Sequence, residues 1–274
     1  MADESSQETA SIEDALSRLN TSVPHPARVY DAVLGGKDNF AADRAAAEAT
    51  IQAFPQVTLS ARANRAFLAR AVRYLAAEVG IRQFLDIGTG LPSANNTHEV
   101  AQSVAPESRI VYVDNDPMVL QHAKVLLTSA KPGATDYIDA DLREPKKILD
   151  RAGRLLDFTA PVAVLLFGVL HFISDERDPY QIVDTLLDAV PAGSYLAISH
   201  LTMDLYADEA VRSTAALNEN LTEKIVLRDR AQVARFFDGL ELVEPGVVQV
   251  SKWRGSELEA TAPAPLWGGV ARKP

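Results

Sequence analysis

Phe84-Leu85-Asp86-Ile87-Gly88-Thr89-Gly90 reads as a strand running into a glycine turn. Glycine has no Cβ, so the backbone can bend tightly and a ligand can come close to it. The next apolar run, Arg109-Ile110-Val111-Tyr112-Val113, reads as a second strand and ends on Asp114, with Asn115 behind it. An acid at the end of the strand that neighbours a glycine turn is placed to accept hydrogen bonds from a ribose diol. Together these features predict a site for a nucleoside-bearing cofactor, and therefore an enzyme.

Strand and helix alternate around this pair. Upstream, Ala61–Val79 reads as an amphipathic helix, with Phe67, Ala71, Leu75 and Val79 at four-residue spacing and Leu68 and Val72 beside them. Arg62, Arg65, Arg70 and Arg73 include its polar side, and Gly80 is placed to end it. Downstream come the strand Gln83–Ile87, the helix Thr97–Ala105, the strand Arg109–Val113 and a helix opened by Asp116-Pro117. Further strands are expected at Asp136–Ala140, Val162–Phe167 and Tyr195–Ser199, with a helix from Asp178-Pro179 to Val190. Such alternation argues a parallel sheet with helices on both faces. The apolar run Pro161–Ile173 is too short to span a bilayer and suits a strand buried on both faces.

The tail breaks the pattern. After a helix near Arg230–Phe237 come Leu240–Val243, Val247–Val250 and Leu266–Ala271, which predict an antiparallel strand pair at an edge of the sheet. The expected fold is α/β: a Rossmann-like, seven-stranded, mostly parallel sheet with an antiparallel last strand, helices on both faces and an N-terminal helical cap. Residues 1–20 are expected to form a disordered or partly helical tail. Residues 21–60 are expected to form a helical cap or lid, and residues 61–274 the α/β domain.

Composition narrows the function. The chain has 274 residues, is 47% hydrophobic and carries 27 basic against 37 acidic residues, for a net charge of −10. An acidic chain is a poor match for nucleic acid. There are no cysteines, so disulfides and thiolate metal sites are absent, which fits a reducing cytoplasm. Met1–Gln7 is polar and lacks the apolar run of a secretory signal. No membrane association is expected, and homodimerisation would be ordinary for an α/β enzyme.

The chemistry-bearing residues cluster at predicted strand ends. The turn has two glycines where a dinucleotide fingerprint needs a third; that region holds Pro92, Ser93 and Ala94. Asp86 lies at the carboxyl edge of the sheet, placed to anchor the turn or to receive an ammonium group through water. In Ile138-Asp139-Ala140-Asp141-Leu142, an acid can accept from an exocyclic amine with Leu142 against the ring. Asn64 and Arg65 precede the first strand; an arginine there pairs with a carboxylate or lies on a solvated helix face. His171 follows the fourth strand and is a candidate general base for a hydroxyl or amine, against the reading of a buried, hydrogen-bonded histidine. His98, His122 and His200 show no metal spacing and His25 sits in a proline loop, so no metal site is expected.

The order of glycine turn, ribose acid and Asp-Ala-Asp after the third strand resembles the class I S-adenosylmethionine-dependent methyltransferases. The resemblance is closer to the actinobacterial group called DUF574 or Methyltransf_19. It is carried by Ala27-Arg28-Val29-Tyr30-Asp31, Leu34-Gly35-Gly36-Lys37-Asp38-Asn39-Phe40, Leu91-Pro92 with Asn96-Thr97-His98-Glu99-Val100, and Trp267-Gly268-Gly269-Val270. It implies S-adenosyl-L-methionine as cofactor. Asp86, Gly88, Thr89 and Gly90 would wrap its methionine and ribose, Asp114 with Asn115 would hold the ribose hydroxyls, and Asp141 and Leu142 would meet adenine. Phe167-Gly168 would lie by the sulfonium. The Gly35–Phe40 segment would cover the ligand, with Tyr30 and Asn39 supplying polar contacts and Arg65 meeting the carboxylate.

The implied activity is methyl transfer to a small-molecule acceptor, which needs orientation and exclusion of water more than a strong base. A cofactor-binding regulatory or interaction protein without catalysis is the alternative, because no acceptor-side motif is visible. A nicotinamide dehydrogenase is disfavoured by the missing third glycine and the antiparallel tail.

Overall fold

A computed structural model of the chain describes residues 19–126, 132–221, 224–262 and 264–274. Apart from Leu19 and Asn20, the tail expected over residues 1–20 lies outside them.

Three helices come first: α1 Pro26–Leu34, α2 Ala41–Ala53 and α3 Val57–Tyr74, whose end widens into a π-helical turn, Leu75–Val79. Pro26 opens α1, where its missing N–H is no loss. Then follow β1 Gln83–Ile87, α4 Thr97–Val104, β2 Arg109–Asp114, α5 Pro117–Leu126, β3 Ala134–Asp139, α6 Pro145–Ala152 and β4 Ala163–Phe167. The second half holds α7 Pro179–Asp188, β5 Tyr195–Leu201, α8 Ala207–Asn220, α9 Arg230–Ala234 and the short strands β6 Glu241–Leu242 and β7 Val248–Gln249. The last strand is β8 Leu266–Arg272.

The sheet order is β3-β2-β1-β4-β5-β8-β6, with β7 also on β8. β1 to β5 are parallel, and β8 runs antiparallel to β5, β6 and β7. The tail departs from the expected edge pair in one respect. β8 is interior, and β6 and β7 share the outer position beside it. Proline cannot donate to a ladder. Pro245-Gly246 interrupts that position, with Gly246 N turning back to Val243 O at 2.8 Å. Among the described residues, eight strands therefore occupy seven positions.

Side chains leave a strand on alternate faces. Leu85, Ile87, Val111, Val113, Val164 and Leu166 enter one buried cluster with the residues of α6 and α7. Phe84, Ile110, Tyr112, Ala163 and Leu165 enter the other, with Phe67, Leu68, Val72 and Leu75 of α3. Apolar burial on both faces is what a covered parallel sheet requires. It leaves the strand ends as the place for polar function. A third, smaller cluster joins Val29 and Val33 of α1, Ala46 and Ala47 of α2 and Ala61 of α3, with Leu217 of α8 packed against it. This layer sets the N-terminal segment over the strand ends.

Candidate active site

A cavity of about 570 Å³ opens at the carboxyl ends of β1, β2 and β4, under the N-terminal segment. That volume lies within the range of small-molecule sites. The glycine turn forms its floor. Gly88 N donates to Val113 O at 2.8 Å, and Gly90 N donates to the Asp114 carboxylate at 2.8 Å. Gly88 has φ +75°, and a Cβ there would stand 2.5 Å from Val169 Cγ2. Gly88→Ala should therefore cost about 2–5 kcal/mol of stability from left-handed strain and overpacking together. A denaturant midpoint shift at constant slope would measure it.

Two buried acids stand beside the turn. Asp86 accepts from the Thr97 hydroxyl at 2.6 Å. Burial pushes its carboxyl up to about 6, against the hydrogen bonds from Thr97 and Thr89 and the charge of Arg65. Asp114 accepts from Gly90 N on one oxygen and from Asp116 N, at 3.0 Å, on the other. Burial raises its pKa, with the charge of His25 opposing. A carboxylate has about four acceptor positions, so Asp114 keeps two for a ligand.

The N-terminal segment is tied to these strand ends by charge. His25 Nδ1 stands 3.0 Å from Asp116 Oδ2 and 3.3 Å from Ala27 N. Ala27 N donates to Nδ1 of the neutral ring, and the protonated ring pairs with the Asp116 carboxylate instead. Burial pulls the His25 pKa down, but the hydrogen bond and charge of Asp116 outweigh it and hold it above the ordinary value. Arg28 Nε lies 3.2 Å from the same carboxylate oxygen and 3.6 Å from Asp43 Oδ1, and its terminal nitrogens donate to Asn20 O and Val23 O. Asp43 accepts from His25 N and Phe40 N. Asp116 also caps α5 through Met118 N at 2.8 Å.

Several polar atoms along the cavity have no hydrogen-bond partner among the described residues. Besides Arg28 Nε and Asp116 Oδ2, which meet as an ion pair, they are Arg65 Nε, Asn64 Oδ1 and His171 Nδ1, each on a side chain that lines it. Arg65 donates from Nη2 to both Ala94 O and Asn95 O, which holds the guanidinium beside the Ala94–Asn95 loop. Tyr30 O–H donates to Ala61 O at 2.9 Å and stands 3.5 Å from Asn64 Nδ2. Gly168, at φ +67°, lies between Asn64 and His171. Burial, then His200 and Arg228, hold the His171 pKa well below the ordinary value. The loop carrying His171 is clamped by the buried Arg228, which donates to Leu170 O, Ile173 O and, at 2.5 Å, the Asp175 carboxylate. His200 donates from Nδ1 to Leu201 O, so its Nε2 accepts from Arg228.

The structure brings Tyr30, Arg65, Asp86, Gly88, Thr89, Gly90, Asp114, Asn115, Asp141, Leu142, Phe167, Gly168 and His171 to one cavity. Asn39 is not among its lining residues. Its Nδ2 donates to Asp31 and Gly36 O, and its Oδ1 accepts from Arg44. Gly36, Asp38 and Asn39 fold back on Asp31 and no residue of Gly35–Phe40 lines the cavity; a Cβ on Gly36 would lie 1.9 Å from the Asp31 carboxylate. From the N-terminal segment the cavity is lined chiefly by Val23–Tyr30, joined by Leu19, Asn20, Val33 and Thr50. Asp141 also differs from the expectation of an amine acceptor. Arg143 gives it three hydrogen bonds and Asn115 a fourth, at 3.0 Å. Its acceptor positions are filled. Sequence reasoning missed His25, Arg28 and Asp116 as a group, because their partnership joins residues far apart in the chain.

Glycine floor, strand-end acids and a cavity at the carboxyl edge of a parallel sheet define a nucleoside-cofactor enzyme. The S-adenosyl methyltransferase family model matches residues 12–274, and the chain belongs to that family. It is an S-adenosylmethionine-dependent methyltransferase. A DUF574 family protein from Streptomyces avermitilis is 46% identical, with a TM-score of 0.91 over 94% of this chain and 100% of that one. A candidate methyltransferase from Thermobifida fusca is 43% identical, with a TM-score of 0.85 over 93% of this chain and 96% of that one. An S-adenosylmethionine-dependent methyltransferase from Anabaena variabilis shares the fold at 12% identity, with a TM-score of 0.51 over 93% and 99% of the two chains. No curated protein matches. No helix among the described residues is long and apolar enough to cross a membrane.

Proposed function

We propose that this chain methylates a small molecule, with residues 61–274 holding cofactor and acceptor, residues 21–60 acting as the lid, and His171 taking the acceptor's proton. The observation that carries this reading is the row of unpartnered polar atoms, Arg65 Nε, Asn64 Oδ1 and His171 Nδ1, along one cavity above a glycine floor. Arg65 Nε suits a carboxylate. The two open positions on Asp114 suit the ribose diol, with Asn115 beside it. Leu142 offers an apolar face to adenine. Gly168, at the end of β4, leaves room by the methyl group. When bound, S-adenosylmethionine supplies an electrophilic methyl on a sulfonium. The chain's part is to orient the acceptor in line with that methyl, exclude water and accept one proton. The acidic surface and the lid over the cavity favour a diffusible acceptor over nucleic acid. The absence of cysteine fits action in the cytoplasm.

Calorimetry tests the cofactor part. S-adenosylhomocysteine should bind and NAD should not; the reverse would overturn the reading. His25→Ala should weaken S-adenosylhomocysteine by about tenfold, because one charge-assisted contact closing the lid is worth roughly 1.5 kcal/mol. The pH dependence carries a definite sign. The folded pKa of His25 is raised, so its contribution is full below the unfolded value and is lost as pH rises through the folded one. The gap between wild type and variant should therefore close on the alkaline side.

A further inference from the structure

The cavity divides by charge along its length. Its charged lining residues all come from residues 25–28, α3 and the ends of β1, β2 and β3. The opposite half is walled by Phe172, Ile173, Leu201, Leu217, Ile225 and Leu266, from the β4 loop, the end of β5, α8, the segment after α8 and the start of β8. Among the described residues, that half has no charged side chain. Its polar side chains are the His171 ring, Thr50 of α2 and Ser60 of α3, with the neutral Asn64 amide bordering it across Gly168. Thr50 spends its proton on Ala46 O at 2.8 Å. The His171 and Phe172 rings stand 4.4 Å apart.

Burying an unpaired charge costs far more than burying a neutral group. A carboxylate, phosphate or ammonium acceptor would meet no counter-charge in this half. A peptide or nucleotide would leave many polar groups unmatched against it. A flat apolar body would bury its surface on the wall and present one polar atom to His171. The held-down basicity of His171 points the same way. It keeps the lone pair available but makes a weak base, better matched to a phenol near pKa ~10 than to a far less acidic aliphatic alcohol.

We propose that this uncharged half is the acceptor subsite and that it takes an uncharged, largely apolar phenol, its hydroxyl on His171 and its ring against Phe172 and the aliphatic wall. The proposal rests on the methyl-transfer reading above. The phenol O–H bond breaks with its proton passing to His171, and the oxygen's electron pair forms the new O–CH3 bond. The pair of the methyl–sulfur bond stays on sulfur as a neutral thioether. His171 then releases the proton to solvent.

The test is binding, which needs no turnover. Protein saturated with S-adenosylhomocysteine is titrated with 2-naphthol, 6-hydroxy-2-naphthoate and protonated 2-naphthylmethylamine. The neutral phenol should bind at least about tenfold more tightly than either charged counterpart, given the cost of an unpaired charge in an apolar site. Leu217→Asp, at a half-buried position on the wall, should weaken 2-naphthol by about tenfold or more for the same reason. It should leave S-adenosylhomocysteine affinity unchanged, which also shows that the variant folds. Equal or tighter binding of a charged counterpart, or failure of 2-naphthol to bind, overturns the phenol assignment and leaves the methyltransferase reading in place. Failure of S-adenosylhomocysteine to bind the wild-type chain overturns both.

Discussion

His171→Phe should lower turnover by about 10²- to 10⁴-fold, the usual worth of a positioned general base. S-adenosylhomocysteine affinity should stay within about twofold, since no cofactor contact is asked of this residue. Phenylalanine keeps a ring of similar size in the buried site and removes the nitrogen that has no partner. The pH profile separates catalysis from packing. His171 is held well below its ordinary pKa, so the wild-type rate should stay flat where an ordinary histidine base would already be protonated. Stability has the opposite sign to that of His25. A histidine buried neutral has its full contribution above the unfolded value and loses it as pH falls, because the unfolded chain binds the proton more readily. The variant should thus be less sensitive to acid than wild type. A variant with undiminished turnover, or one that loses cofactor affinity in step with rate, would remove His171 from the chemistry.

What the sequence disclosed follows from what is local. β1 and its glycine turn, β2 ending on Asp114 and β4 ending on Phe167-Gly168 are each a few residues whose spacing fixes their geometry. Parallel pairing then brings their ends together. The lid was less legible. Leu34-Gly35-Gly36-Lys37-Asp38-Asn39-Phe40 is a conspicuous string, yet it is a turn built around Asp31, within its own neighbourhood. The less conspicuous His25-Pro26-Ala27-Arg28 covers the strand ends, because its carboxylate partner, Asp116, lies about ninety residues away. No pattern within one stretch of chain encodes that pairing. A histidine three residues before an arginine, ahead of a cap-forming acid, is the available signal. At Arg65 and Asp141 the neighbouring chain decides the environment. A solvated helix face was a fair reading for Arg65, but the Ala94–Asn95 loop folds over it. Asp141 stands where a base-binding acid belongs, but Arg143, two residues on, claims it first.

Asp114→Ala should weaken S-adenosylhomocysteine by about 10²- to 10⁴-fold. Each hydrogen bond to a charged acceptor is worth roughly 1.5–3 kcal/mol, and a ribose diol makes two. The acid also holds Gly90 N and Asp116 N, so a loss of affinity could come from a loosened turn. Stability without ligand decides between the two. Burial raises the pKa of Asp114, so the folded state resists ionising it. Wild-type stability therefore falls as pH rises from the ordinary carboxyl value through the folded one. Alanine removes that cost along with the two backbone contacts, so the variant should unfold near the wild-type midpoint at neutral pH. Ligand stabilisation is the second readout. At a concentration one hundred times the wild-type Kd it amounts to about 2.7 kcal/mol, and it should nearly vanish in the variant. Asp114→Asn should not rescue it, because an amide turns an NH₂ toward one of two backbone N–H donors that both need an acceptor. Loss of affinity with stability intact makes Asp114 a ligand-binding acid. Equal loss of both would reduce it to an anchor of the turn.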